Sequence, residues 1–248
     1  MTIFEHIKKQ HQNIKERPKE ERWQYFLDYY KWHAVALLLA IALLIQGVVS
    51  IVNRKEVVFS GILLNCVISI DDDDFLQGFY DYADINGKEQ QAAFYTDIIL
   101  TDKNTKNDIN SFQRIMAGIA TKDTDFVVGQ PENFRLCAYN TSRIFMDLRE
   151  FLDAETLEKL SDRLYYVDGA VIQKIAVPVG ELVDSNIVIP SPTKPEAMED
   201  PIPVGIDVSD RKDFQSAYYF PDTKLYLGVV SNTPRTELTK QFIAYLFS

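Results

Sequence analysis

Residues Ala34 to Val52 read AVALLLAIALLIQGVVSIV, nineteen positions without a charged side chain. A hydrocarbon core of ~30 Å takes about 20 helical residues to cross, and a helix in a globular domain is normally apolar on one face only. The stretch is read as a single transmembrane helix, residues 34–53. It separates a head, residues 1–33, from one large domain, residues 54–248. A cleaved signal peptide would have a short basic head, an apolar run of about 7–15 residues and a small-residue cleavage site. Here the apolar run lies behind 33 residues and exits as Ser50-Ile51-Val52-Asn53-Arg54-Lys55. Leu63-Leu64-Asn65-Cys66 has a lipoprotein look, but Arg54, Lys55 and Glu56 separate it from the apolar run.

Lys and Arg near the ends of a span set its orientation, and the richer side stays in the cytoplasm. Lys8, Lys9, Lys15, Arg17, Lys19, Arg22 and Lys31 precede the span; after Arg54 and Lys55 the next basic residue is Lys88. The expected topology is single-pass in the cell membrane, N-terminus cytoplasmic, domain 54–248 extracellular. Trp23, Tyr25, Phe26, Tyr29, Tyr30 and Trp32 supply rings suited to the headgroup layer. Residues 19–32 read either as a short helix along the inner leaflet or as a continuation of the span.

Charge divides at the same place. Residues 1–55 carry nine basic and five acidic side chains; the remaining 193 carry seventeen and thirty-one, a net charge of −14. Such a domain repels phosphate backbones, so nucleic acid is not an expected partner. All three histidines, His6, His11 and His33, lie before or at the edge of the span. The domain beyond it therefore lacks the base of a Ser-His-Asp or Cys-His site and any His ligand for zinc. No enzyme activity, catalytic residue, metal or cofactor is expected. There is no Cys-x-x-Cys pair. Cys66 and Cys137 both sit in apolar runs and read as two buried thiols, with a disulfide as the alternative in an oxidising compartment.

Beyond the span, strand-like and helical patterns alternate. Residues 57–68 are β-rich, and Phe75, Phe79, Tyr82 and Ala83 are spaced as one helical face after Asp71-Asp72-Asp73-Asp74. Residues 91–100 read as a strand and 107–121 as a helix. Residues 124–129 read as a strand, and Pro131 opens a further helix. A short helix is expected from Asp153 to Asp162. This β-α-β-α-β-α order predicts a mainly parallel α/β sandwich. Residues 168–210 hold six of the ten prolines and read as a Pro-rich insert. A hairpin is expected there from 171–179 and 181–189, and an exposed loop at 191–201. A strand at 224–230 and an amphipathic helix at 236–247 close the chain.

Ligands of open α/β sheets bind beyond the carboxyl ends of the strands. That rule nominates Ser69 and Asp71, then Thr101 and Asp102, then Gly129, Gln130 and Glu132, and finally Ser231 and Asn232. The same residue types are common in turns and helix caps. The run Asp71–Asp74 suits the first turn of a helix and lacks the ligand spacing of a calcium loop. Tyr165-Tyr166 and Tyr218-Tyr219-Phe220 read as sugar-facing rings or as core.

Three stretches carry a family likeness: DTDFVVGQPENFRLCAYNTSRIFMDLREFLD, RLYYVDGAV and YLGVVSNTPRTELTKQFIAYLFS. Over 56–165 and 205–248 the chain resembles a reduced, membrane-anchored relative of the type 2 periplasmic (extracellular solute-binding) proteins. The resemblance implies a solute-binding-protein-like fold of bacterial type, with a ligand cleft. In that family the cleft lies between two lobes; here the second lobe would be the 168–210 stretch, and a retained span replaces the cleaved or lipoprotein signal. The expected function is a membrane-tethered extracytoplasmic module binding a small solute or an envelope protein partner. The alternatives are a degenerate binding fold serving as scaffold in an envelope or export complex, and a carboxylate-based hydrolase.

Overall fold

A computed structural model describes residues 18–52, 54–69, 73–103, 105–176, 187–221 and 224–248. The chain divides at Arg54 into two units. The first contains α1 (Lys19–Val52), a single helix of 34 residues. Its window Lys31–Val49 has a mean hydropathy of 2.2, which by length and composition is enough to cross a membrane. Leu37, Leu43 and Leu44 are all exposed, as the apolar side chains of a lipid-facing helix would be. At 1.5 Å per residue the helix is ~51 Å long, so the aromatic turns at 19–32 continue the span and do not form a separate helix.

In the second unit, β1 (Glu56–Leu63) leads through the short β2 (Ile68–Ser69) to α2 (Asp73–Ala83) and β3 (Gln90–Tyr95). Then follow α3 (Lys106–Ala120), β4 (Phe126–Gly129), α4 (Pro131–Ala138), α5 (Leu148–Phe151) and α6 (Ala154–Lys159). The chain continues with β5 (Leu164–Asp168), α7 (Gly169–Ile175) and β6 (Pro201–Asp207). It closes with α8 (Lys212–Ala217), β7 (Tyr218–Tyr219), β8 (Tyr226–Val229) and α9 (Thr236–Leu246). Six strands form one sheet in the order β3-β1-β4-β8-β6-β5, and β2 pairs with β7 apart from it.

The expectation of a mainly parallel sheet is corrected: the sheet is mixed. β1 is parallel to β3 and to β4, because α2 and α3 serve as the helical crossovers that parallel neighbours need. β8 is antiparallel to β4 and to β6, and β5 is antiparallel to β6. The 168–210 stretch is not a separate insert, since β6 lies within the sheet. Its prolines are accommodated because β8 reaches β6 only at Ile206 and Asp207. Pro201 and Pro203 lie in the half that β8 does not touch, where a missing N–H breaks no bond to it.

The hairpin strand expected at 171–179 is likewise corrected. Residues 169–175 form α7, capped by Asp168, whose carboxylate accepts from Ala170 N at 3.0 Å. The same carboxylate accepts from Glu199 N and Asp200 N at 3.0 and 3.1 Å. This buried cap overrides the strand propensity of Val171 and Ile172. The second hairpin strand falls mostly on 177–186, outside the described residues.

Strand alternation splits the core in two. Phe59, Leu63, Phe126, Val128, Leu227 and Val229 face one way, against Phe75 and Phe79 of α2 and Phe242, Ile243 and Leu246 of α9. Ile62, Leu64, Val127, Tyr165, Val204 and Tyr226 face the other, against α3, α4 and α7. Close packing on the first side requires Gly61, where an added Cβ would stand 2.1 Å from Phe126 Cζ. Cys66 belongs to the first half and Cys137 to the second. The two are buried and not joined in a disulfide.

A capping box starts α3: Asp108 N donates to Thr105 Oγ1, and Asp108 Oδ2 accepts from Thr105 N at 2.8 Å and Oγ1 at 2.6 Å. Thr101 donates to the other oxygen through N and Oγ1, at 2.7 and 2.8 Å. The Thr105 bonds, with those from Thr101, hold the Asp108 carboxyl far below the usual carboxylate range. Arg211 and Arg163 do the same for Asp210. A depressed folded-state pKa adds stability that is complete above the unfolded value of about 4 and is lost as pH falls through and below it. Thermal unfolding measured between about pH 5 and pH 2 should therefore show a smaller acid loss for Asp108→Asn than for the parent chain. Equal losses would remove Asp108 from the account.

Candidate functional site

β1, β3 and β4 run the same way, so their carboxyl ends meet at one edge of the sheet, where a polar cleft of about 350 Å³ opens. The chain turns at its mouth at Asn65, a non-glycine residue with φ of 56°, a conformation that asparagine tolerates better than most. Asn65 holds the next wall in place: its Oδ1 accepts from Leu100 N at 2.7 Å, and its Nδ2 donates to Leu100 O at 3.0 Å. Thr101, fixed to Asp108, continues that wall into Asp102 and Lys103.

The opposite wall is the start of α4. Gln130 occupies the N-cap without a capping side-chain bond, and Pro131 takes the first turn, where its missing N–H costs nothing. Glu132 is exposed at the rim. Asn133 is 3% exposed, and its Oδ1 has no hydrogen-bond partner among the described residues. A buried polar atom left unpaired costs about 1–3 kcal/mol. The amide lies over Gly129, where an added Cβ would be 2.7 Å from Asn133 Oδ1 and 3.3 Å from Leu64 Cδ1. Gly129 thus makes room for Asn133 and offers no side chain of its own.

The nominated residues therefore separate. Gln130 and Glu132 line the cleft together with Thr101 and Asp102, whereas Gly129 is buried beneath Asn133 and does not line it. Ser231 lines a second, larger crevice of about 670 Å³ that includes Phe145, Val204 and Ile202. That crevice opens where β8 leaves β6 to bridge Phe145 at Val230. β8 runs antiparallel to β4, so the position after its carboxyl end falls at the other end of the sheet from Gln130. Asn232 is structural on its nitrogen side, donating to Ile119 O at 2.8 Å. Ser69 lies in β2 opposite Tyr218. Asp71 is outside the described residues. Tyr165, Tyr218 and Phe220 are core residues at 1%, 1% and 7% exposure, which corrects the sugar-facing alternative for those three, while Tyr166 is half-buried and Tyr219 is exposed.

Sequence reasoning missed Asn65 and Asn133. Asn65 carries a turn signal inside the run read as β-rich, which the structure ends at Leu63. Asn133 carries none, because its significance lies in burial without a partner.

The cleft is lined mainly by polar and charged side chains. Its two carboxylates, Asp102 and Glu132, are exposed, whereas a carboxyl kept protonated for general acid work sits in an apolar surround. Burial pushes the Cys137 thiol up to about 12, so it is not a nucleophile at neutral pH. Among the described residues no group of three or more His, Cys, Asp or Glu side chains is placed to hold a metal ion. No family model, no curated protein and no solved structure matches this chain.

Proposed function

We propose that the protein is a membrane-tethered, extracytoplasmic, non-catalytic binding module whose polar cleft takes a small solute. The observation that carries this reading is the buried, unpaired Oδ1 of Asn133 in a cleft at the strand ends. A bound solute that turned the Asn133 amide toward the cleft and donated to Oδ1 would offset the cost of leaving the atom unpaired. The apolar helix α1 supports the tether, and the basic residues ahead of it support an outward-facing domain. None of the described residues of 168–210 lines the cleft, which favours solute binding over a scaffold with a filled groove. The resemblance to solute-binding proteins points the same way.

The test uses the full chain in lipid nanodiscs, screened by ligand-observed NMR against amino acids, amines, sugars and short carboxylates. At least one class should bind the parent and be lost in Asn133→Leu. A screen without hits, or hits that survive Asn133→Leu, would sink the reading. For topology, Glu132→Cys should react with a membrane-impermeant maleimide on intact cells. Labelling only after permeabilisation would reverse the orientation.

A further inference from the structure

The polar cleft does not end at Asp102. Leu100, Thr101 and Asp102 are shared with a shallow groove of about 340 Å³. Its far side is Ile109 and Phe112 from α3 and Leu136 from α4. Ile109 is 49% exposed, and Phe112 and Leu136 are half-buried. A polar chamber and an apolar trough thus lie side by side along one wall.

The chamber's charges select what enters. The acceptors it exposes are the carboxylates of Asp102 and Glu132, and Asn133, which also lines it, keeps an unpaired Oδ1 buried beside Gly129. Among the described residues, Lys103 is the one basic side chain lining either space. The N-terminus of α4 would by itself attract an anion, but Glu132 in its first turn already complements the helix dipole, and Pro131 removes one of its N–H donors. The domain's net charge of −14 raises the local concentration of cations around the opening. An ammonium carries three donors and no acceptor, matching the paired carboxylates of Asp102 and Glu132.

Resting on the reading above, we infer that cleft and groove form one site for a small organic ammonium bearing an apolar tail. The ammonium sits among Asn133, Asp102 and Glu132, and the tail lies along Ile109, Phe112 and Leu136. Methyl or hydroxyl groups cannot replace the charged head, and a bare ammonium leaves the trough wet.

Isopentylamine is the probe, titrated at pH 7 into the full chain in nanodiscs, with empty nanodiscs subtracted. Isopentanol and isovalerate keep the tail and change the head; methylamine keeps the head and drops the tail. Isopentylamine should bind at least about tenfold more tightly than each of the three, the factor worth ~1.4 kcal/mol. Asn133→Leu should abolish this binding, and Gly129→Ala, whose Cβ displaces the Asn133 amide, should weaken it without removing a cleft side chain. Ile109→Ser should weaken isopentylamine and leave methylamine unchanged. Isovalerate or isopentanol binding as tightly as isopentylamine overturns the ammonium; methylamine binding equally overturns the tail. If either happens while Asn133→Leu still abolishes binding, the cleft remains a solute site of another class. Absence of binding by all four probes overturns this inference, and the wider screen with Asn133→Leu decides separately whether the cleft binds at all.

Discussion

Asp125→Ala should lower the melting temperature of the domain by on the order of 10 °C. Asp125 is fully buried at the start of β4. It accepts from Ser60 N at 2.7 Å, from Thr233 Oγ1 at 2.5 Å and from Arg235 Nη1 at 2.8 Å. Its own N–H donates to Ser60 O, and its carbonyl accepts from Val230 N, both at 2.9 Å. One residue thus ties β1, β4 and the loop that launches α9. Removing the carboxylate leaves Arg235, the Thr233 hydroxyl and the Ser60 N–H without their acceptor. Breaking a buried pair from one side costs about 3–5 kcal/mol. For a domain of this size each 1 kcal/mol moves the midpoint by roughly 2–4 °C. Asp125→Asn keeps one acceptor oxygen and should fall between the parent and Asp125→Ala. Replacing both partners, Asp125→Leu with Arg235→Met, should recover much of the loss, because no charge is then left unpaired. Thermal unfolding of the full chain in one detergent measures all four. A shift below about 3 °C for Asp125→Ala would show that the network contributes little.

Phe242→Ala should destabilise the domain by about 3–5 kcal/mol, the usual range for a deleted core ring. Phe242 of α9 is fully buried. Its ring lies 4.8 Å from Phe126, 5.1 Å from Phe79, 5.2 Å from Phe59, 5.5 Å from Phe94 and 6.4 Å from Phe75. Those rings come from α2, β1, β3 and β4, so the hole left by Phe242 is walled by stiff neighbours on several elements and collapses poorly. Phe242→Leu fills most of the space and should cost distinctly less. Ile109→Ala, on the exposed face of α3, should stay within about 0.5 kcal/mol. Denaturant midpoints at constant slope measure the series. Equal values for Phe242→Ala and Ile109→Ala would contradict the packing argument.

Much of this architecture is legible in single residues. The uncharged run at 34–52 predicts α1 because no fold is needed to read its length and hydropathy. Spacing predicts α3, whose expected stripe of Ile109, Phe112, Ile115, Met116 and Ile119 buries Ile115 and Ile119 but leaves Ile109 exposed, and α9, with Phe242, Ile243 and Leu246 buried and Leu238 half-buried. Pro131 marks the start of α4 by its fixed φ and missing N–H. The rule that ligands sit beyond strand carboxyl ends places Gln130 and Glu132 at the cleft, with Thr101 and Asp102 across from them. In each case the signal is local, written within one or two turns of chain.

What the tertiary structure alone decides depends on contacts between residues far apart in sequence. β6 is hidden because Pro201 and Pro203 read as loop until the limited reach of β8 is known. α7 resembles a strand by composition until Asp168 caps it and gathers Glu199 and Asp200 on the same carboxylate. The direction of β8, which sends Ser231 to the opposite end of the sheet from Gln130, follows from its pairing with β4 and not from any residue near it. Asn133 is an ordinary helix-start residue in sequence; burial over Gly129 with an oxygen left unpaired is what sets it apart beside the cleft. Hydropathy and periodicity are properties of a segment, so the chain states them alone. Strand direction, burial and hydrogen-bond satisfaction are relations between segments, which exist only once the chain is packed.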